Sequence, residues 1–136
     1  MKLIPTLLLN PIPEITEFPV NKKLANEMMD FMRRRKALGL AANQVGKAYR
    51  LFVMDVKVPR RCFNPKIWWE ANLYNQQFKE GCLSYPKKLK IKPRSTFILA
   101  SYIDQNNKEV EAELFDLEAI CFQHELDHLN GIDWDT

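Results

Sequence analysis

The sequence predicts an α+β fold in which antiparallel or mixed β-sheets pack around one buried helix. Three observations lead there. Segments rich in Val, Phe, Ile and Leu follow one another through the middle of the chain with no helical period between them. The last periodic segment, 117–130, is apolar on nearly every side, as a helix enclosed by protein must be. Strands followed by a buried helix belong to the α+β class rather than to alternating βαβ units. With 136 residues, 46% hydrophobic and 27% charged, the chain has the size and balance of a single folded domain, 1–136.

Each element has a local reason. Residues 1–10 hold one lysine and the apolar Leu7, Leu8 and Leu9, but Pro5 and Pro11 interrupt them and no small-residue cleavage site follows. A signal peptide is therefore not expected. Pro11, Pro13 and Pro19 brace an extended opening segment. Asn21 suits a helix N-cap, and Leu24, Met28, Phe31 and Met32 recur at helical spacing over 22–36. A small, glycine-bounded stretch, 38–46, comes next. Strands are expected over 49–58, 63–70, 96–104 and 109–114, the last two joined as a hairpin by the turn residues 105–108. Asp116 can cap the final helix and Gly131 can end it in the left-handed conformation.

Composition removes several functions. The net charge is only +3, and the basic clusters at 33–36 and 87–92 lack interleaved aromatics or glycines. They read as solvated faces, not as a nucleic-acid module. No apolar run approaches the length that spans a bilayer. Three cysteines, an odd number, without a secretory signal point to a reducing compartment, hence the cytoplasm, and not to a disulfide framework.

The chain has two histidines, His124 and His128, and both fall on the buried helix with Glu125 between them. Positions i and i+4 lie on one helix face, so both imidazoles can reach one metal ion. Glu125 can then contact a metal-bound water, whose pKa falls toward ~7, and can move its proton. Two imidazoles in a water-excluded place need partners, and a metal supplies both. The sequence His-Glu-x-x-His-x-x-Gly continues to Gly131, but the position three residues later is Trp134, flanked by Asp133 and Asp135. A third ligand must come from upstream: Cys62, Cys82, Cys121 or a carboxylate. Cys82 lies in the glycine-containing Glu80-Gly-Cys-Leu-Ser84 and is the best thiolate; Cys121 reads as a small buried hydrophobe beside the site.

Three segments together resemble the peptide deformylase family. They are Gly39-Leu-Ala-Ala-Asn-Gln44, Glu80-Gly-Cys-Leu-Ser84 and Gln123-His-Glu-Leu-Asp-His-Leu-Asn-Gly131, in the family's order. The resemblance implies a divalent metal held by Cys82, His124 and His128, typically Fe(II), with Zn, Ni or Co able to substitute. It implies hydrolysis of the N-formyl group from the initiator methionine of nascent peptides by metal-bound hydroxide, with Glu125 as general acid/base. The Gln44 amide and the Leu83 backbone N–H would hold the oxyanion. The peptide would add as a strand beside Leu38–Gly39 and Gly81, with methionine against Leu38, Phe78, Leu117, Ile120 and Cys121. A monomer is expected, with transient ribosome contact as its further partner.

The sequence departs from the family pattern in places. Ala37 stands where a second glycine usually opens the first motif, and Leu89 aligns where many bacterial members have arginine. Arg94 fits a family position and is expected to brace the site. After Gly131 the given sequence shows no counterpart of the C-terminal helix that bacterial relatives often carry, so ribosome attachment through such a tail is not expected. Two other readings compete. A zinc endopeptidase would need a downstream ligand, and a closed structural zinc site would need a fourth.

Overall fold

In the computed structural model, which describes residues 1–4 and 10–135, the Asn21 side chain accepts from the Leu24 N–H at 3.0 Å and starts α1 (Lys22–Arg34). The apolar stretch at Leu7, Leu8 and Leu9 lies outside the described residues. α1 buries Leu24, Ala25, Met28, Met29, Phe31 and Met32, the face that its helical spacing marks.

The strands among the described residues form two antiparallel sheets. The larger has the order β1 (Gly39–Ala41), β2 (Leu51–Asp55), β3 (Pro59–Glu70), β6 (Phe97–Ile103), β7 (Glu109–Phe115). The smaller pairs β4 (Glu80–Cys82) with β5 (Tyr85–Lys90). β2 shows how the large sheet is covered. Leu51 and Val53 join the cluster that contains α1, whereas Phe52 and Met54 join the cluster that contains the last helix. Successive side chains point to opposite faces, and both faces are covered, so the strand reads as an unbroken apolar run.

The expected β6–β7 hairpin is present, with Phe97 opposite Phe115 and Ile103 opposite Glu109. β3 begins four residues earlier than expected, at Pro59, a strand start where the missing N–H does no harm. β1, β4 and β5 are not legible as strands in the sequence. Two of them have three residues, and Tyr85–Lys90 reads as a charge run.

Helix α2 (Asp116–Leu129) lies across the sheet, and Phe122 meets Phe52 edge to face. Asp116 does not cap it. Its N–H donates to Thr96 O at 2.8 Å, continuing the β6–β7 ladder, so Phe115 occupies the cap position in extended conformation and Asp116 is the first helical residue. Gly131 ends the helix at φ 75°, as expected. The Gln123 amide locks α2 to the sheet. It accepts from the Ser95 N–H at 3.0 Å and donates to Ser95 O at 2.8 Å. No helix among the described residues is long and apolar enough to cross a membrane.

Candidate active site

Helix geometry sets His124 and His128 one turn apart, with ring centroids at 4.9 Å and their Nε2 atoms at 3.1 Å. The β4–β5 hairpin brings in Cys82, whose Sγ lies 3.5 Å from His128 Nε2. One atom from each of Cys82, His124 and His128 falls within a 4.8 Å cluster, and all three residues are buried. The other cysteines are elsewhere. Cys62 is packed in the apolar core, and Cys121 Sγ faces Leu38 O at 3.6 Å. Burial pushes both of those thiols well up.

Glu80, two residues before Cys82, organises the cluster. Its Oε1 accepts from His124 Nδ1 at 2.8 Å, from Trp134 Nε1 at 3.0 Å and from an Arg94 guanidinium nitrogen at 3.0 Å. Its Oε2 accepts from Arg94 Nε at 2.8 Å. Burial opposes its charge, but the hydrogen bonds from His124 and Arg94 outweigh burial and lower its pKa to about 2. A permanent acceptor at Nδ1 holds a proton there and turns Nε2 toward His128 Nε2. Arg94 also pairs with Asp127, one residue before His128.

The donor set fits a cation. A sulfur and two ring nitrogens converge in a buried place, and their lone pairs would repel one another unless a positive charge lay between them. Burial opposes protonation of His124, yet Glu125, Cys82 and Glu80 raise its pKa to about 10. Burial and the neighbouring His124 lower His128 to about 3. A thiolate with two imidazoles suits several divalent transition metals. Three protein donors are one fewer than structural zinc sites normally use, and none lies downstream of His128, where an endopeptidase of this motif would need one.

Glu125 lies beside the cluster, with Oε2 3.9 Å from His124 Nε2 and a buried Oε1 that has no hydrogen-bond partner among the described residues. Burial raises its pKa to about 7, against the opposing pull of His124 and Arg94. Its carboxylate rests against Gly39, where a Cβ would overlap Oε2 and stand 2.9 Å from the carboxyl carbon. Gln44 is held at both ends. Its Oε1 accepts from the Ala41 N–H at 3.0 Å, and its Nε2 donates to Ser84 Oγ at 3.0 Å and faces Cys82 Sγ at 3.6 Å.

The cluster opens into a cleft of about 530 Å³. Leu38, Gly39, Gly81, Leu83, Leu117, Ile120 and Cys121 line it together with Gln44, Cys82, His124 and Glu125. Phe78, expected against the methionine side chain, does not line it. Both of its backbone polar groups bond to the Asn75 side chain, at 2.8 Å each, in a tight turn that leaves it outside. Sequence reading assigns no role to Glu80 or to the Trp134 side chain; the one available signal is the adjacency of Glu80 to Gly81 and Cys82. Arg94 does brace the site, through Glu80 and Asp127.

Fold and site together are those of a hydrolase. The chain belongs to the polypeptide deformylase family, whose sequence model matches residues 5–134. The peptide deformylase of Bartonella henselae is 36% identical over 140 residues, covering 95% of this chain and 77% of that protein. For the peptide deformylase of Bartonella tribocorum the values are 39% over 121 residues, 81% and 66%, so the chain spans about two thirds of that relative. Among solved structures, the peptide deformylase of Thermus thermophilus is similar with a TM-score of 0.83 at 35% identity, over 91% of this chain and 75% of that one. A deformylase from the Vibrio parahaemolyticus bacteriophage VP16T, solved in complex with actinonin, also gives 0.83, at 31% identity, over 97% and 98% of the two chains.

Proposed function

We propose that residues 1–136 form one catalytic domain that removes the N-formyl group from the formylmethionine of newly made peptides. The observation that carries this reading is the convergence of Cys82, His124 and His128 beside Glu125 at the floor of a peptide-sized cleft. Those three residues would hold one divalent metal. Family resemblance favours Fe(II), with Zn, Ni or Co as substitutes, and the bound ion would supply Lewis acidity and ease the deprotonation of water.

The chain's own residues do the rest. Glu125, with its pKa raised by burial to about 7, takes a proton from the attacking water and passes it to the departing amine nitrogen as the C–N bond breaks and formate forms. Its partnerless Oε1 is free for that proton. The Gln44 Nε2–H, aimed by the Ala41 contact to its Oε1, donates to the developing oxyanion together with the Leu83 N–H. The formyl peptide lies extended beside Leu38–Gly39 and Gly81, with methionine against Leu38, Leu117, Ile120 and Cys121. The protein acts as a cytoplasmic monomer that meets nascent chains through transient ribosome contact.

The test is formate release from formyl-Met-Ala-Ser by protein loaded anaerobically with Fe(II). Glu125→Ala should retain metal and lose about 100- to 10,000-fold in kcat, the worth of a general base. Equal turnover by variant and parent removes the role given to Glu125. Cleavage of internal bonds in an unformylated peptide replaces this reading with an endopeptidase.

A further inference from the structure

The mouth of the cleft is rimmed by cations. Arg35 and Lys36 stand on the connection between α1 and β1, Lys79 precedes β4, and Lys87 and Lys88 lie on β5; all five are exposed. Only two acids line the same cleft, Glu80 and Glu125, and both are buried. The Glu80 charge is met by Arg94. Lys88 pairs with Asp135, and Arg35 lies over the Phe31 ring at 4.0 Å. Lys36, Lys79 and Lys87 form no ion pair among the described residues. Lys36 and Lys87 also hold left-handed backbone, at φ 56° and 72°, which a residue with a Cβ seldom adopts.

We infer that the cleft selects formyl-methionyl peptides carrying Asp or Glu in the first few positions after methionine. This rests on the deformylase reading and adds the substrate class to it. An extended peptide advances ~3.3 Å per residue, so with methionine on the apolar floor the next two or three side chains pass the rim. There they meet unpaired ammonium groups and no exposed acid. Acidic peptides are attracted over the whole approach, and basic ones are repelled. Nucleic acid answers to the same charge. However, these cations face a concave cleft that fits an extended peptide, and a base has no free ring to stack on there. Tyr85, the aromatic residue on the cleft wall, already has Lys88 near its ring face and Asp133 on its hydroxyl.

The experiment compares formyl-Met-Ala-Asp-Glu-Ala, formyl-Met-Ala-Ser-Ser-Ala and formyl-Met-Ala-Lys-Lys-Ala on metal-loaded protein, by kcat/KM and by equilibrium binding of labelled peptides. At low salt the acidic peptide should exceed the neutral one by about 3- to 30-fold, the worth of two exposed charge pairs. At 1 M salt, where the Debye length is ~3 Å, the ratio should approach one. The combined variant Lys36→Gln, Lys79→Gln and Lys87→Gln should lower the low-salt ratio to about 2 or less. A parent enzyme that deformylates the neutral peptide at least as well as the acidic one overturns the inference. If no peptide is deformylated, the deformylase reading fails, and the binding arm still decides: equal affinity for acidic and neutral peptides overturns the selectivity. Loss of ribosome cosedimentation in the triple variant, with a parent ratio of one, assigns the cations to RNA and also overturns it.

Discussion

Trp134 Nε1 and His124 Nδ1 converge on one carboxylate oxygen, Glu80 Oε1, at 3.0 and 2.8 Å. Trp134 stands where a His-Glu-x-x-His-x-x-Gly sequence can carry a third histidine ligand. Here its indole lies tilted over the His124 ring, 5.9 Å between centroids, and gives a hydrogen bond to the carboxylate that orients that ring. With Arg94 on both oxygens, Glu80 accepts four hydrogen bonds, three at Oε1 and one at Oε2. Trp134 here supports the carboxylate that orients the His124 ring.

That arrangement predicts unequal effects for two substitutions. Glu80→Gln removes the anionic acceptor from His124 and Arg94, and metal affinity should fall about 10- to 100-fold in a chelator competition. Unfolding free energy should drop by about 3 kcal/mol in a urea titration, the low end for a broken buried pair because Arg94 keeps Asp127. Trp134→Phe keeps a ring beside His124 and removes one of four donors, so affinity should fall less than about tenfold. Equal losses in the two variants would show that ring packing, not the carboxylate, positions His124.

The legible and illegible parts of this site differ in a physical way. His124, Glu125 and His128 are readable because helical period turns sequence spacing into geometry within one element. β2, β6 and β7 are readable because a covered sheet demands apolar runs or alternation. Glu80 and Trp134 are not, because their meeting spans 54 positions and depends on the β4–β5 hairpin, a lysine-bearing strand pair with no apolar signature. Phe78 falls outside the cleft because its turn is set by the Asn75 side chain, a contact that composition does not announce. Asp116 does not act as a cap because a backbone bond to Thr96 already governs entry to the helix.

Gly39 predicts how little room the Glu125 carboxylate has. A Cβ there would overlap Glu125 Oε2 and stand 3.0 Å from Cys121 Sγ. Gly39→Ala should therefore push the carboxylate aside while leaving the strand pairing with Met54 intact. Turnover should fall about 100-fold, as for an ångström-scale misplacement of a reacting group. Metal content and the thermal midpoint should change little. Unaltered turnover would place the working carboxylate somewhere other than against Gly39.

Tyr85 ties the hairpin bearing Cys82 to the segment after α2, since its hydroxyl donates to Asp133 Oδ1 at 2.6 Å. That hydrogen bond, with burial and the Asp133 charge behind it, raises the phenol from its ordinary 10 to about 12. A pKa raised in the folded state contributes stability that is complete below the unfolded value and is lost as pH rises through the folded one. The contribution of Tyr85 should thus disappear between about pH 10 and 12. Phenolate absorbance, taken as the difference between parent and Tyr85→Phe, should titrate near the upper value. In Asp133→Asn the same difference should move toward 10. A difference titration that ignores Asp133 would dissolve this link.

The three cysteines give the sharpest discrimination. Cys82 faces His128 Nε2, while burial holds the thiols of Cys62 and Cys121 well above the usual range and keeps them protonated, hence poor ligands. In Co(II)-loaded protein, a thiolate-to-metal absorption band should be present in the parent and absent in Cys82→Ser. Cys62→Ala should keep the band and lower unfolding free energy by about 1 kcal/mol, as expected for a small cavity in the core. Cys121→Ala should also keep it, because Cys121 Sγ is directed at Leu38 O. A band that survives Cys82→Ser and vanishes in Cys121→Ala would move the sulfur ligand onto α2 and redraw the floor of the cleft.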